Sequence, residues 1–388
     1  MTRGAATRVA HRWPRRLKSA ARNSRRTMIA LVISGALACR PQTPRTPIDS
    51  TALAIPTTPA APAAQAGPPP ETARPAVVTR TVANVRSGGR APNTLGRIPI
   101  LEYHLIGEVE GRWTRNVEAF RRDLELLYAR GYRPISVAQL VDGEIVLPAG
   151  LSPVVFTFDD ASPSQFRFIE RNGKLQIDST SAVGVWLNFR RTHPDWSNKA
   201  VFCLLSGAAA GRSFFGDSPH EGQKTEWRMK KVRFLAEQGF ELCNHTLWHA
   251  NLSQYSDEKV QEQIARGVMA IDSAVPGYRV RTFALPLGVW PKNRELARAG
   301  AWTDPQSGRT INYHFDAILL VAGGPVRSPR DSAFDATRLE RIQVVEGSLE
   351  RVLDNLDRTG SRYVSDGAGL KIAPATAGAV AQRAAAPR

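Results

Sequence analysis

Two short stretches carry side chains able to do acid–base and metal chemistry. The first is VVFTFDD, residues 154–160, an apolar, β-branched and aromatic run that stops at two adjacent carboxylates, Asp159 and Asp160. Such a run predicts a buried strand delivering acidic side chains to the edge of a sheet. The second is HTLWH, residues 245–249, directly after the apolar run GFELC. Two histidines four apart lie on one face of a helical turn, and with one carboxylate they supply the three protein ligands of an open zinc site. The second carboxylate is then free to act as a base. Each stretch also has an ordinary structural reading. The Asp pair can be a solvated turn with a helix cap before Ser162 and Pro163, and HTLWH can hold one core and one surface histidine.

For these side chains to meet, several strand ends must converge. IPILEYH, ending at His104, reads as the first strand of the folded body. Residues 116–131 read as an amphipathic helix with Val117, Phe120, Leu124 and Leu127 on one stripe and Gly131 as its stop. After the strand carrying the Asp pair, further strands are expected at 200–205, 240–243, 282–285, 317–321, 342–345 and 362–364. Helices are expected at 225–238, 256–275, 292–299 and 349–358. In 256–275, Val260, Ile264, Val268 and Ile271 make the buried stripe behind Ser256 as cap. Strand and helix alternate nearly throughout, which predicts an α/β fold with a parallel sheet covered by helices. In parallel α/β sheets the chemistry gathers at the C-terminal ends of the strands, and His104, Asp159, Asp160 and His245 all fall there. Residues 190–225 are rich in Gly, Ser and Pro and read as a surface excursion beside the site.

A net charge of +17 over 388 residues suggests a nucleic-acid partner until it is located along the chain. Residues 1–97 hold sixteen Lys and Arg against two acids, and 372–388 hold two against none, which leaves 34 basic and 33 acidic residues between them. A nearly neutral body removes the main support for nucleic-acid binding. Residues 1–39 read as an export signal, since nine basic residues and no acid precede MIALVISGALAC, a segment too short to span a bilayer. Ser24, Arg25, Arg26, Thr27, Met28 and Ile29 resemble a twin-arginine signal. The triplet Ala36, Leu37, Ala38 offers a cleavage site, and Cys39 behind it is the candidate for lipidation and membrane anchoring. The expectation is an exported bacterial cell-envelope protein, either lipid-anchored or periplasmic or secreted. Residues 40–97, rich in Pro, Ala and Thr, read as a disordered linker, 98–371 as the folded domain and 372–388 as a disordered tail. Cys203 and Cys243 each sit in a predicted strand, as buried thiols or as a disulfide if those strands are neighbours.

TFDD followed by a His, Thr, two residues, His motif, in that order and on strand ends, resembles the polysaccharide deacetylase family, the NodB-homology domain, over about residues 98–367. The resemblance implies an incomplete (β/α) barrel of about seven parallel strands. It implies that Asp160, His245 and His249 bind a divalent metal, Zn2+ by default with Co2+ or Ni2+ as alternatives, and that Asp159 is the general base. The substrate implied is an acetylated polysaccharide of the envelope or outside the cell, of peptidoglycan or GlcNAc type. FALPLG, residues 283–288, matches a strand-end motif of the family, and by that match the backbone N–H of Leu287 helps hold the oxyanion.

The sequence departs from the family at four places. Ala284 stands where many members carry an arginine that orients the catalytic Asp, Leu287 replaces the usual aromatic, and Ala161 replaces the usual Gly. Residues 317–324, AILLVAGG, lack the histidine with which members protonate the leaving amine. Asp159 returning its proton, His104, or His314 are the alternatives for that step, with His104 the better placed. Its ordinary reading is a structural histidine bonded to backbone, and His193 and His220 read as surface-loop histidines. Among Trp186, Trp248, Trp290 and Trp302, Trp248 or Trp290 is expected near the sugar because each adjoins a site motif. Two rival functions remain beside N-deacetylation: an esterase removing O-acetyl groups with the same site, and a deacetylase-like domain that binds glycan or metal without turnover.

Overall fold

The computed structural model describes residues 89–207, 213–216 and 222–369. The expected export signal, Cys39, His220, most of the linker and the tail lie outside them.

Among the described residues, eight parallel strands form the main sheet: β1 Ile100–Tyr103, β2 Tyr132–Pro134, β3 Ser152–Phe158, β4 Val201–Leu204, β5 Glu241–Asn244, β6 Thr282–Ala284, β7 Ala317–Leu319 and β8 Ile342–Gln343. Seven run in the order β7, β6, β5, β4, β3, β1, β8, and β2 pairs with the start of β3. The helices are α1 Val117–Ala129, α2 Val137–Val141, α3 Ala182–Thr192, α4 Arg228–Glu237, α5 Asp257–Ala274 and α6 Ser348–Arg358. The parallel sheet follows the alternation of strand and helix, and its curvature gives the incomplete (β/α) barrel that the family resemblance implies.

β3 shows why the residues fold this way. All seven of its residues are buried, as a parallel strand covered on both faces requires. Val154, Phe156 and Phe158 belong to the outer core with Phe120, Leu124 and Trp186. Val155 belongs to an inner-face cluster with Ile100, Val201, Cys203, Cys243 and Ala284. The period of two therefore sends Val155, Thr157 and Asp159 inward in succession. Ring packing locks the outer layer, with Phe156 edge-on to Trp186 at 5.0 Å and Phe158 stacked on Phe202 at 4.9 Å.

The two edges of the sheet are joined by a single extended segment. Leu339 pairs with Leu319 of β7, and three residues later Ile342 pairs with Leu101 of β1. Arg341 lies between these two pairings, at the seam.

Several expectations are revised. Residues 292–299 form only one 3-10 turn, Arg294–Ala297, and Ala299–Thr303 then pairs antiparallel with Thr310–His314. Ile311 and Tyr313 alternate with exposed neighbours and bury one hairpin face, and the ladder they form takes up residues 299–303. Residues 362–364 make isolated bridges to Arg97 and Asn93 instead of a ladder, so chain pairing begins at Asn93, inside the stretch read as linker. The hairpin Phe168–Arg171 with Lys174–Ile177 was not expected, although the Asn172-Gly173 turn, with φ of 52° and 69°, is its sequence signal. In the excursion 190–225, Phe214 and Phe215 are buried in the core. Cys203 and Cys243 are direct neighbours on β4 and β5 and both are buried free thiols.

Candidate active site

The Asp pair is aimed by its backbone. Asp159 N donates to Tyr103 O at 3.0 Å, continuing the β1–β3 pairing past the strand end. The chain then turns left-handed at Asp160 (φ 78°) and Ala161 (φ 48°). Consecutive residues of a strand point to opposite faces, and this reversal lets both carboxylates enter one hollow. The family's glycine at position 161 fits that conformation, which Ala161 here adopts as an L residue. Gln165 secures the turn by donating from Nε2 to the carbonyl oxygens of His104 and Asp159.

HTLWH is not helical. Thr246 (φ 72°) and His249 (φ 63°) make a tight turn directly after β5. Asn244 holds it: its Oδ1 accepts from Thr246 N at 2.7 Å while its Nδ2 donates to Ile264 O of α5 at 2.8 Å. Thr246 Oγ1 accepts from His249 N at 3.1 Å. The expected pairing of the two histidines survives with a different backbone, and their ring centroids stand 4.9 Å apart.

The three expected ligands converge. Asp160 Oδ1 lies 3.5 Å from Nε2 of His245 and 3.5 Å from Nε2 of His249. Ligands about 2.0–2.1 Å from a tetrahedral zinc stand roughly 3.3 Å from one another, so the spacing fits a single ion. His245 Nδ1 lies 2.9 Å from Ala284 O, and since a carbonyl only accepts, the proton sits on Nδ1. That leaves the Nε2 lone pair directed at the ligand cluster, where it is buried without a hydrogen bond. The site can therefore hold a divalent metal through Asp160, His245 and His249. Glu102, His104 and Asp159 form a second such group, but there an arginine already occupies Asp159.

That arginine is Arg341, fully buried and unforeseen in the sequence. Its Nη1 and Nη2 donate to Oδ1 and Oδ2 of Asp159, each at 2.8 Å. Burial alone would raise the Asp159 carboxyl, but the charges of Arg341 and then His245 hold it well below the usual range. Asp160 is likewise lowered against its burial by the two histidines. His245 is raised, since Asp159 and Asp160 outweigh its burial, whereas His104 is lowered chiefly by burial. Glu102, whose Oε1 is 2.7 Å from Arg341 Nη2, is pushed up to about 8, with burial the largest cause.

A pocket of about 470 Å3 opens over the site, lined by Asp159, Asp160, His245, His249, His104, Leu287 and Trp113 among others. His104 thus reaches the same hollow as the Asp pair, as expected from its strand end. Leu287, at φ 58°, forms part of the wall. His314 does not reach the pocket: it is half exposed on the hairpin, 3.6 Å from Asp316. His193 stacks on Phe189 instead of standing free in a loop. Neither Trp248, under Lys259, nor Trp290, under Arg294, lines the pocket. Trp113 does, with His104 edge-on at 4.7 Å and the Arg112 guanidinium over its ring at 5.0 Å. Sequence reasoning missed Glu102, Trp113 and Arg341; the one local signal was a charge inside an otherwise apolar strand, as in IPILEYH.

Comparison with known proteins finds similar sequences and structures. The family model described as polysaccharide deacetylase matches residues 185–301. A chitooligosaccharide deacetylase from Bradyrhizobium sp. (strain ANU 289) is 26% identical over 202 residues, 47% of this chain and 89% of that protein. One from Sinorhizobium fredii (strain NBRC 101917 / NGR234) is 35% identical over 101 residues, 24% of this chain and 47% of that protein. Among solved structures, a polysaccharide deacetylase from Bacillus cereus superposes with a TM-score of 0.48 at 14% identity, covering 68% of this chain and 69% of that one. The Streptococcus pyogenes deacetylase PplD in complex with acetate gives 0.46 at 18% identity, covering 68% and 98%. Over those stretches the chain is similar to polysaccharide deacetylases.

Proposed function

We propose that this protein is a polysaccharide deacetylase, a metal-dependent hydrolase of N-acetyl groups on an envelope or extracellular glycan of peptidoglycan or GlcNAc type. The observation that carries the reading is the convergence of Asp160, His245 and His249 with a separate carboxylate, Asp159, in one pocket. The names of the curated relatives support a GlcNAc-type substrate, and the export signal expected in residues 1–39 supports an envelope location, with Cys39 as the candidate anchor.

A divalent ion held by Asp160, His245 and His249, with zinc the first choice for that donor set, would activate water and polarise the acetyl carbonyl. Asp159, ionised and held flat by Arg341, accepts the proton of the attacking water. The Leu287 backbone N–H donates to the oxygen that gains charge as the water oxygen bonds to the acetyl carbon. His104, within 4.8 Å of Asp159, receives the proton that Asp159 took from the water and passes it to the nitrogen as the C–N bond breaks, giving acetate and a free amine. Trp113 offers a flat apolar face to the sugar at the rim.

The test is acetate release from chitin oligomers and peptidoglycan fragments after chelation and metal add-back. The parent should release acetate only with metal restored, and Asp159→Asn should lose roughly 10²–10⁴-fold in rate. A variant as fast as the parent would remove Asp159 as the base. Silence from the parent across the panel would favour binding without turnover.

A further inference from the structure

We infer that Arg341 is the positioning residue for Asp159, supplying from the seam of the barrel the guanidinium that the family resemblance places at position 284. The inference rests on the reading of Asp159 as the base.

The geometry leaves Arg341 little freedom. Nε donates to Leu320 O at 2.6 Å, and Nη1 donates to Thr157 Oγ1 at 3.1 Å as well as to Asp159. Thr157 can only accept there, because its own hydroxyl proton goes to Leu101 O at 2.9 Å. Glu102 flanks Nη2 at 2.7 Å, outside hydrogen-bond geometry. Two parallel N–H to carboxylate bonds fix both the plane and the rotation of Asp159, which a point charge would not do. A guanidinium buried this completely is unfavourable unless paired, so its placement answers to Asp159 rather than to packing.

The two ends of the barrel account for the exchange. Ala284 ends β6, is fully buried in the inner-face cluster with Cys203 and Cys243, and gives its carbonyl to His245. A methyl group there cannot reach Asp159 by charge or hydrogen bond. Arg341 enters instead from the segment that pairs with β7 through Leu339 and with β1 through Ile342. The residue that orients the base is therefore carried by the segment that closes the sheet.

The test compares Arg341→Ala, Arg341→Lys and Ala284→Arg/Arg341→Ala with the parent and Asp159→Asn. The readouts are kcat, KM for a chitin oligomer, bound metal and thermal melting. Arg341→Ala should keep its metal and its KM while kcat falls about 100-fold, the scale of a misplaced catalytic group. Millimolar guanidinium, or the arginine restored at position 284, should return part of that loss. Should Arg341→Ala fail to fold, Arg341→Lys decides: a folded protein with lowered kcat and parental KM supports the inference, and parental kcat overturns it. Parental kcat in Arg341→Ala beside a dead Asp159→Asn would also overturn it, and leave the proposed function standing. Joint loss of metal and activity with no guanidinium rescue would make Arg341 purely structural. An Asp159→Asn variant as active as the parent would overturn the base assignment, and this inference with it.

Discussion

His104 shows how far a residue type and its place in a strand can be read. It stands just beyond β1, its carbonyl tied to Gln165 and its ring against Trp113. Burial lowers its pKa even though Asp159 and Asp160 pull the other way, which favours the neutral ring, so the proton it donates is the one Asp159 takes from the water. Replacing it by Asn should lower kcat by roughly 10²–10⁴-fold with metal binding unchanged. A His104→Asn variant that turned over at the parental rate would return the proton-donor role to Asp159. The Asp pair and the two histidines were legible because each group is local, four or fewer positions across. Arg341 was not, because its partner Asp159 is 182 positions away and nothing in the sequence around either residue encodes their meeting. Trp113 escaped for a related reason: it reaches the pocket through a loop whose path no periodicity predicts.

At the scale of elements, the histidine turn depends on a close approach between β5 and α5. A Cβ on Gly267 would stand 2.5 Å from Asn244 Oδ1 and 3.1 Å from its Cγ and Nδ2. Asn244 is the residue that braces Thr246 N and Ile264 O, so it cannot yield without releasing the turn that carries His245 and His249. Gly267→Ala should therefore weaken metal affinity by about 10–100-fold, the range seen when outer partners of metal ligands are lost. Chelator competition measures it, and parental affinity in a folded variant would show that α5 does not brace the site. The apolar period of α5 and its Ser256 cap were plain in the sequence and appear as expected. The gap between a helical turn and the left-handed turn at 245–249 was not, since both bring residues four apart together. The hairpin at 299–314 was not anticipated, only a helix at 292–299, and short runs of that kind fit either period.

For the whole molecule, the inner face of the barrel is a stack of polar groups under the site: Glu102, Thr157, Asp159 and Arg341 are all fully or almost fully buried. The parallel architecture was legible from alternation alone. The charge content of its interior was not, because inward and outward positions separate only once the strands are registered. That interior ties global stability to pH through Glu102. Burial lifts its carboxyl from an ordinary 4.5 to about 8 in the folded chain, so between those values the folded form keeps a proton that the unfolded form releases. The contribution is complete below about 4.5 and disappears as pH climbs toward 8. Glutamine keeps the shape and cannot titrate, so Glu102→Gln should gain on the parent as pH rises from 5 to 8. Each unit of retained shift corresponds to about 1.4 kcal/mol, and a gain on the order of 1 kcal/mol or more is expected. Urea melts in chelator at the two pH values read it out, and an unchanging difference between parent and variant would mean that the Glu102 carboxyl is ionised beside Arg341 throughout that range.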